Sequence, residues 1–237
     1  LAEGKGVEGT GAERAGVLHN VPHAFMHKGS KVSDEAAALA AMNMPGPLLM
    51  VRQVHSGHVV FAADAASHDR DVTADALVTD RPGIAIGIVT ADCAPVLLAD
   101  GEAGVVAAAH AGWRGAQGGI IGNTVECMVR AGARAHRIRA AIGPCIAQPS
   151  YEVGEDLKRH FTPGDAALFA PGQDGRWHFD LPGYVLQRLK DAGVGKSEVL
   201  AIDTYRHPGR FHSFRLATHR GLATGGRQIS IIAVPAP

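Results

Sequence analysis

Ile84-Ala85-Ile86-Gly87-Ile88-Val89-Thr90-Ala91-Asp92-Cys93-Ala94-Pro95-Val96-Leu97-Leu98-Ala99-Asp100-Gly101-Glu102-Ala103-Gly104-Val105-Val106-Ala107-Ala108-Ala109-His110 contains three short apolar runs separated by turn residues. Ile84 to Val89, Val96 to Ala99 and Val105 to Ala109 read as strands, and Asp100-Gly101 is a turn signal ahead of the third. Cys93 follows the first run and His110 ends the third, so two soft metal ligands are expected at the same end of one sheet. A thiolate with an imidazole is a zinc-type ligand set, and His55, which closes the apolar segment that begins at Val51, offers a third ligand. Three protein ligands leave one coordination position open, which suits catalysis better than structural support. Spacing alone does not establish the site, because buried cysteine is common as a small hydrophobe and the chain has 13 histidines.

Outward from that stretch, strand and helix signals continue without a polar gap. Leu18 to His27 reads as a strand, and Ser33, followed by Asp34 and Glu35, opens an Ala-rich helix that runs to about Met42, where Pro45-Gly46 ends it. Leu48 to His55 and His58 to Ala62 read as a hairpin about Ser56-Gly57, and Ala76 to Thr79 as a strand. After Gly119 the apolar period becomes helical through Val129, with Gly132 as the stop. Ile138 to Ile142 is expected as a strand and Glu152 to Phe161 as a helix. Asp180 caps a further helix, Leu181 to about Leu189, with Pro182 in its first turn. Strands near Val199 to Ile202, Arg210 to Leu216 and Gln228 to Val234 close the chain. Strands in mixed order with few helices point to an α+β layered fold.

Residues 1–12 carry the Gly-rich run Gly4 to Gly11 and read as a loose tail, and residues 13–237 as a single domain; 237 residues suffice for one sizeable core. Charged residues are 19% of the chain and glycine 30 of its residues, a composition of many tight turns between short buried elements. With 23 basic and 23 acidic residues, nothing points to nucleic acid or an anionic membrane as partner. Three cysteines without a short-spaced pair argue for a reducing compartment, and Cys127 falls on the apolar face of the Ile120 to Val129 helix. Neither a leader nor an apolar stretch of the ~18 residues a span requires is seen, so cytoplasm is the expected location.

Gly112-Trp113-Arg114-Gly115-Ala116-Gln117-Gly118-Gly119 joins a strand to a helix. Its glycines allow close backbone approach, and Arg114 can pair with phosphate or carboxylate oxygens through two parallel hydrogen bonds. Asp92 reads either as a partner to the metal ligands or as a turn former. Tyr151, Glu152 and His207 are weaker candidates, since single polar residues near turns usually face solvent.

The segments Arg52-Gln53-Val54-His55, Ala74-Asp75-Ala76-Leu77-Val78-Thr79, Thr90-Ala91-Asp92-Cys93-Ala94-Pro95, His110-Ala111-Gly112-Trp113-Arg114-Gly115, Ile142-Gly143-Pro144 and Tyr151-Glu152-Val153-Gly154 occur in the order seen in YfiH-type laccase-domain proteins, also called the polyphenol oxidase or purine nucleoside phosphorylase family. The chain resembles that family from about His23 to Val234. The resemblance implies a sandwich of mixed β-sheets flanked by helices, and metal ligands at His55, Cys93 and His110. It further implies zinc-dependent phosphorolysis of adenosine, inosine and methylthioadenosine, with adenosine deamination as an accompanying activity. Nucleoside and phosphate are then the partners, and Arg114, Lys28 and Arg215 the substrate or phosphate ligands. Copper is the second metal choice. Copper oxidation of phenols is disfavoured, because a multicopper centre needs paired histidines, including His-X-His motifs, and the chain has none.

Departures accompany the resemblance. Lys28 stands where the family's amino-terminal motif has arginine, Ser213-Phe214-Arg215-Leu216 replaces Ser-Tyr-Arg-Arg, and Asp203 stands where a cysteine precedes Thr204. A planar bidentate donor is thus lost at Lys28 and at Leu216. Two rival readings stand beside the metalloenzyme: a cysteine hydrolase with Cys93 as nucleophile and His110 as base, and a non-catalytic metal-binding or partner-binding module.

Overall fold

The structure, a computed structural model, describes residues 11–28, 39–40, 43, 46–65, 68–69 and 71–235. In chain order the strands are β1 (Ala12–Glu13), β2 (His23–Met26), β3 (Leu48–Leu49), β4 (Val59–Phe61), β5 (Ala76–Thr79), β6 (Ala85–Thr90), β7 (Ala94–Asp100), β8 (Val105–Ala111), β9 (Arg139–Ile142), β10 (Glu152–Val153), β11 (Phe169–Pro171), β12 (Trp177–Phe179), β13 (Lys196–Val199) and β14 (Gln228–Ala233). They form a five-stranded sheet, β1-β2-β14-β6-β3, a six-stranded sheet, β13-β9-β7-β8-β5-β4, and a small sheet, β10-β12-β11.

The two large sheets pack face to face. Side chains alternate across a strand, so Leu97, Ala99, Val106 and Ala108 of β7 and β8 meet Phe25, Ile86 and Ile88 of the five-stranded sheet. Val96, Leu98, Val105, Ala107 and Ala109 point the other way, against Ile121, Val125 and Met128 of the helix Ile120–Arg130 and Val185 and Leu189 of the helix Leu181–Asp191. β7 and β8 are therefore buried on both faces, which is why their sequences are continuous apolar runs rather than alternating ones. Each fully buried Leu, Ile or Val contributes roughly 1.5–3 kcal/mol. The result is the expected α+β layered fold.

Several boundaries follow the sequence reading. Gly119 enters the Ile120–Arg130 helix at φ 89, and Gly132 leaves it at φ 103, with Ala133 N–H donating back to Met128 O. Asp180 caps the Leu181–Asp191 helix by accepting from Gly183 N.

Others are corrected. The Leu48 to Ala62 segment is not a hairpin: β3 pairs with β6 in the five-stranded sheet, and β4 pairs with β5 in the six-stranded one. Likewise Cys93 and His110 do not end two strands of one sheet, because β6 belongs to the five-stranded sheet. Cys93 precedes β7, whose antiparallel register with β8 sets Ala94 opposite Ala111 and so brings the cysteine beside His110 by another route. Leu18 lies in a 3-10 turn, Gly16–Leu18, ahead of β2. Glu152 to Phe161 splits at Gly154 into β10 and the short helix Glu155–Lys158. The last parallel strand is Lys196–Val199 rather than Val199 to Ile202. The Arg210 to Leu216 segment is not a strand, since Ser213 caps a helix, Phe214–His219, by accepting from Leu216 N. The expected helix from Ser33 to Met42 lies mainly outside the described residues, as does most of the expected tail; Ala12 and Glu13 already pair with Met26 and Phe25.

Candidate metal centre

Both connections from the five-stranded to the six-stranded sheet bear on the site. The β3–β4 connection carries His55 and the β6–β7 connection carries Cys93, while His110 is itself the sixth residue of β8. The two connections bend sharply, with φ 62 at His55 and φ 83 at Asp92, a region that side-chain-bearing residues enter only when the surroundings hold them there.

Asp75, immediately before β5, is the holder at His55. Its carboxylate is fully buried and accepts five hydrogen bonds. Oδ1 accepts from His110 Nδ1 at 2.8 Å and from the His55 backbone N–H at 2.9 Å. Oδ2 accepts from Ser56 N at 2.6 Å, Ser56 Oγ at 2.8 Å and Val54 N at 3.2 Å. Burial by itself raises a carboxyl pKa; here the His110 imidazole and the Ser56 and His55 donors outweigh it and hold Asp75 below the usual carboxylate range. Because His110 Nδ1–H is committed to Asp75, its Nε2 is the atom left for a metal or for Cys93.

His55, Cys93 and His110 converge. One nitrogen or sulfur of each lies within 4.8 Å of the others. Cys93 Sγ is 3.8 Å from His55 Nε2, and the two imidazole rings are 4.7 Å apart at 77°. Tetrahedral zinc with bonds of ~2.3 Å to sulfur and ~2.0 Å to nitrogen sets such atoms roughly 3.5 Å apart, so the donor set fits one ion after a small contraction. Burial opposes ionisation of Cys93, but contact with His110 and His55 outweighs it and lowers the thiol pKa; burial likewise opposes charging of His110, and its bonds to Asp75 and Cys93 outweigh that and raise it. Contact with the two imidazoles thus favours the thiolate form of Cys93, the form in which sulfur ligates a metal. Gly112 makes the space: an added Cβ would stand 2.9 Å from Cys93 Sγ and 3.0 Å from His55 Cδ2.

The glycines after His110 serve the protein's own backbone. A Cβ on Gly57 would lie 2.4 Å from Gly118 O, and one on Gly115 would lie 3.0 Å from Ser56 O. Asn123 Nδ2 donates to Gly57 O at 2.8 Å, so the His55 loop is seated directly on the Gly112 to Gly119 segment.

The three side chains open into a cleft of about 520 Å³, also lined by Gln53, Arg114, Tyr151, Phe214, Arg215 and Arg227. Arg114 is exposed, its guanidinium 4.4 Å from the Trp113 ring centre. Arg215 Nη1 donates to Glu152 O at 2.6 Å, and its backbone N–H donates to Asp92 Oδ2, also at 2.6 Å. Asp92 in addition accepts from Thr204 Oγ1 at 2.7 Å. Both of its oxygens are thus spent on fixing the turn and Arg215, and Asp92 makes no bond to a metal ligand.

Of the other sequence candidates, Tyr151 lines the cleft and Glu152 gives only its carbonyl to Arg215. His207 turns to Asp203 O instead. Lys28 is not part of the lining; its amine donates to Pro208 O, and Leu216 is likewise outside the cleft. Asp203 accepts from Ser150 Oγ at 2.6 Å and Tyr205 N at 3.1 Å, a structural anchor. Asp75 and Arg227 were not read as site residues. The signal for Asp75 is a lone charge among Ala74, Ala76, Leu77 and Val78; Arg227 follows Gly225-Gly226 with no comparable mark.

The family model described as multi-copper polyphenol oxidoreductase laccase matches residues 16–235. A protein of Deinococcus radiodurans named purine nucleoside phosphorylase is 38% identical over 235 residues, covering 91% of this chain and 90% of the relative. One named adenosine deaminase RL5, from an unknown prokaryotic organism, is 39% identical over 189 residues, covering 73% of this chain and 72% of the relative. Among solved structures, a Neisseria meningitidis protein superposes with a TM-score of 0.77 at 28% identity, over 95% of this chain and 98% of the other. YlmD from Geobacillus stearothermophilus gives 0.83 at 24% identity over 98% of each chain, a likeness of fold.

Proposed function

We propose that this chain, which belongs to the family described as multi-copper polyphenol oxidoreductase laccase, is a metal-dependent purine nucleoside phosphorylase acting on adenosine, inosine and methylthioadenosine, with adenosine deamination as a second activity. The observation that carries the reading is the meeting of one thiolate and two imidazoles at the floor of a cleft that also presents three guanidinium groups. Relatives named for phosphorolysis and for deamination support it. Oxidation of phenols by several coppers finds no support, since among the described residues the His55, Cys93 and His110 group is the one cluster with metal-ligand spacing.

Zinc is the favoured ion, with copper as the alternative; His55, Cys93 and His110 would hold it, and it would supply a Lewis acid able to activate an oxygen nucleophile near neutral pH. Asp75 keeps the His110 ring in one tautomer and fixes the His55 loop, so both imidazoles are set before any ligand arrives. Arg114, Arg215 and Arg227 bind the phosphate and orient it. Arg215 and Arg227 are already tethered to carbonyls, at 2.6 Å to Glu152 O and at 2.6 and 2.7 Å to Thr224 O and Gly226 O, so little freedom is lost when they engage an anion. In phosphorolysis a phosphate oxygen bonds to C1′ of the ribose as the C1′–N9 bond breaks, and the base leaves with that electron pair and one proton. Lys28 is left out of the proposed site because its amine is engaged at Pro208. Three free cysteines fit a reducing compartment, and we place the protein in the cytoplasm.

A second reading, a cysteine hydrolase, draws on the lowered thiol pKa of Cys93 beside His110. Metal analysis combined with adenosine and inosine assays, with and without phosphate, separates the two. Phosphate-dependent release of base that disappears on chelation supports the phosphorylase, whereas activity that survives chelation and is lost on alkylation supports the hydrolase.

A further inference from the structure

We infer that the chain has a second ligand site, at the opposite end of β7 from the metal centre, that takes a small phosphate-bearing anion of about nucleotide size. Cys93 precedes the first residue of β7, and Asp100, its last, lines a separate cleft of about 490 Å³. At ~3.3 Å per residue the two clefts are roughly 20 Å apart along that strand.

The charge arrangement in the second cleft is unusual in one respect. β13 and β9 run parallel with Lys196 directly beside Arg139, and both side chains face this cleft. Like charges on paired positions repel. A pair of this kind is ordinarily relieved by an acid nearby, and the cleft does have two, Asp100 and Glu102. Both are already taken. Asp100 Oδ2 accepts from Arg137 Nε at 3.0 Å, Arg137 Nη2 at 2.9 Å and Arg134 N at 2.9 Å, while Oδ1 accepts from Glu102 N at 3.1 Å and Ala103 N at 3.2 Å. Glu102 Oε2 meets Arg137 Nη1 at 2.8 Å. Among the described residues neither Arg139 nor Lys196 has an ion-pair partner, and both are exposed.

The walls divide in a way that suits such a ligand. Val17, Leu18 and Ile138 close the base of the cleft and leave little side-chain surface accessible there. Arg139 and Lys196 supply cationic donors, and His136 stands beside them. Arg137 is fixed by its two carboxylates and stiffens the rim. An anion with two or more charges placed between Arg139 and Lys196 converts their repulsion into two charge-assisted contacts, which a monovalent ion does less well. The volume falls within the ~300–1,000 Å³ of small-molecule sites.

Calorimetric titration of the full chain with pyrophosphate and with ADP, at physiological ionic strength, tests this. Both probes should bind the wild-type protein, and Arg139→Gln/Lys196→Gln should weaken them about 10- to 100-fold. Lys196→Met, which keeps the apolar stem, should show a smaller loss in the same direction. Arg130→Gln/Arg220→Gln, which removes the same charge from exposed positions outside the cleft, should leave binding as it is. Failure of the wild-type protein to bind either probe overturns the inference, as does equal binding by the double variant. An equal loss in the Arg130/Arg220 control also overturns it, since that result means diffuse attraction. Loss of binding in Arg227→Ala with retention in Arg139→Gln/Lys196→Gln overturns it by placing the anion at the metal cleft.

Discussion

Asp75 Oδ1 lies 2.8 Å from His110 Nδ1, and the same oxygen accepts the His55 backbone N–H, so one buried carboxylate orients the His110 imidazole and anchors the loop that carries His55. Asp75→Asn replaces an acceptor-only group, on which five donors converge, by an amide with a single acceptor oxygen. Zinc affinity, measured by competition with a chromophoric chelator, should fall about 10- to 100-fold. Unchanged affinity would mean that the carboxylate serves the fold alone.

Cys93→Ser should abolish stoichiometric zinc binding, read by elemental analysis after gel filtration, because a hydroxyl is a far poorer soft-metal ligand than a thiolate. Chelator treatment of the wild-type protein should remove nucleoside phosphorolysis, and added zinc should restore it.

Gly112→Ala introduces a methyl 2.9 Å from Cys93 Sγ and 3.0 Å from His55 Cδ2. Bound zinc should be lost or greatly reduced while the far-ultraviolet circular dichroism stays that of the wild type, since Gly112 has an ordinary extended φ of -73°. Full zinc occupancy in this variant would show that the ligands sit farther apart than they do here.

Arg227→Ala and Arg114→Ala should each raise the phosphate KM with a smaller effect on the nucleoside KM. A charge-assisted contact of roughly 1.5–3 kcal/mol corresponds to about 10- to 150-fold. The tethered Arg227 should be the more costly loss, and an unaltered phosphate KM in both variants moves the anion elsewhere.

Asp100 should make the fold acid-sensitive. Burial raises its pKa, but the Arg134 and Ala103 N–H groups and the Arg137 guanidinium outweigh that and lower it from 3.8. A depressed carboxyl pKa gives stability that is fully present above the unfolded value and disappears as pH falls through the folded one. Asp100→Asn should therefore be destabilised by about 1–3 kcal/mol at neutral pH, and the gap to wild type should narrow below pH 3.8 in urea melts. A gap that does not change with pH would rule out ionisation as its source.

That His55, Cys93 and His110 come together was legible because cysteine and histidine at the ends of apolar runs are chemically conspicuous. The route that brings them together was not. Leu48 to Ala62 looks like a hairpin because nothing local reveals that β3 and β4 pair with different sheets, and pairing partners 37 and 17 residues away leave no trace in a short apolar run. The Arg210 to Leu216 segment reads as a strand from its aromatic and apolar residues, while Ser213 in fact caps a helix by accepting from Leu216 N. The role of Asp75 was hidden because its donors come from the 54–56 loop and from His110, far from it in the chain. Lys28 shows the opposite failure: a substitution seen in a motif does not reveal that its amine points to Pro208.

His55 and Cys93 sit on the two connections by which the chain leaves one large sheet for the other, whereas His110 belongs to the second sheet itself. An ion held by all three is therefore a rivet through the sandwich, and the work needed to peel the layers apart includes the work of releasing it. The thermal midpoint should climb with free zinc concentration. Protein made in metal-starved cells should open first at this seam, exposing Ile86 and Ile88 and becoming prone to aggregation before the Ile120–Arg130 face loosens.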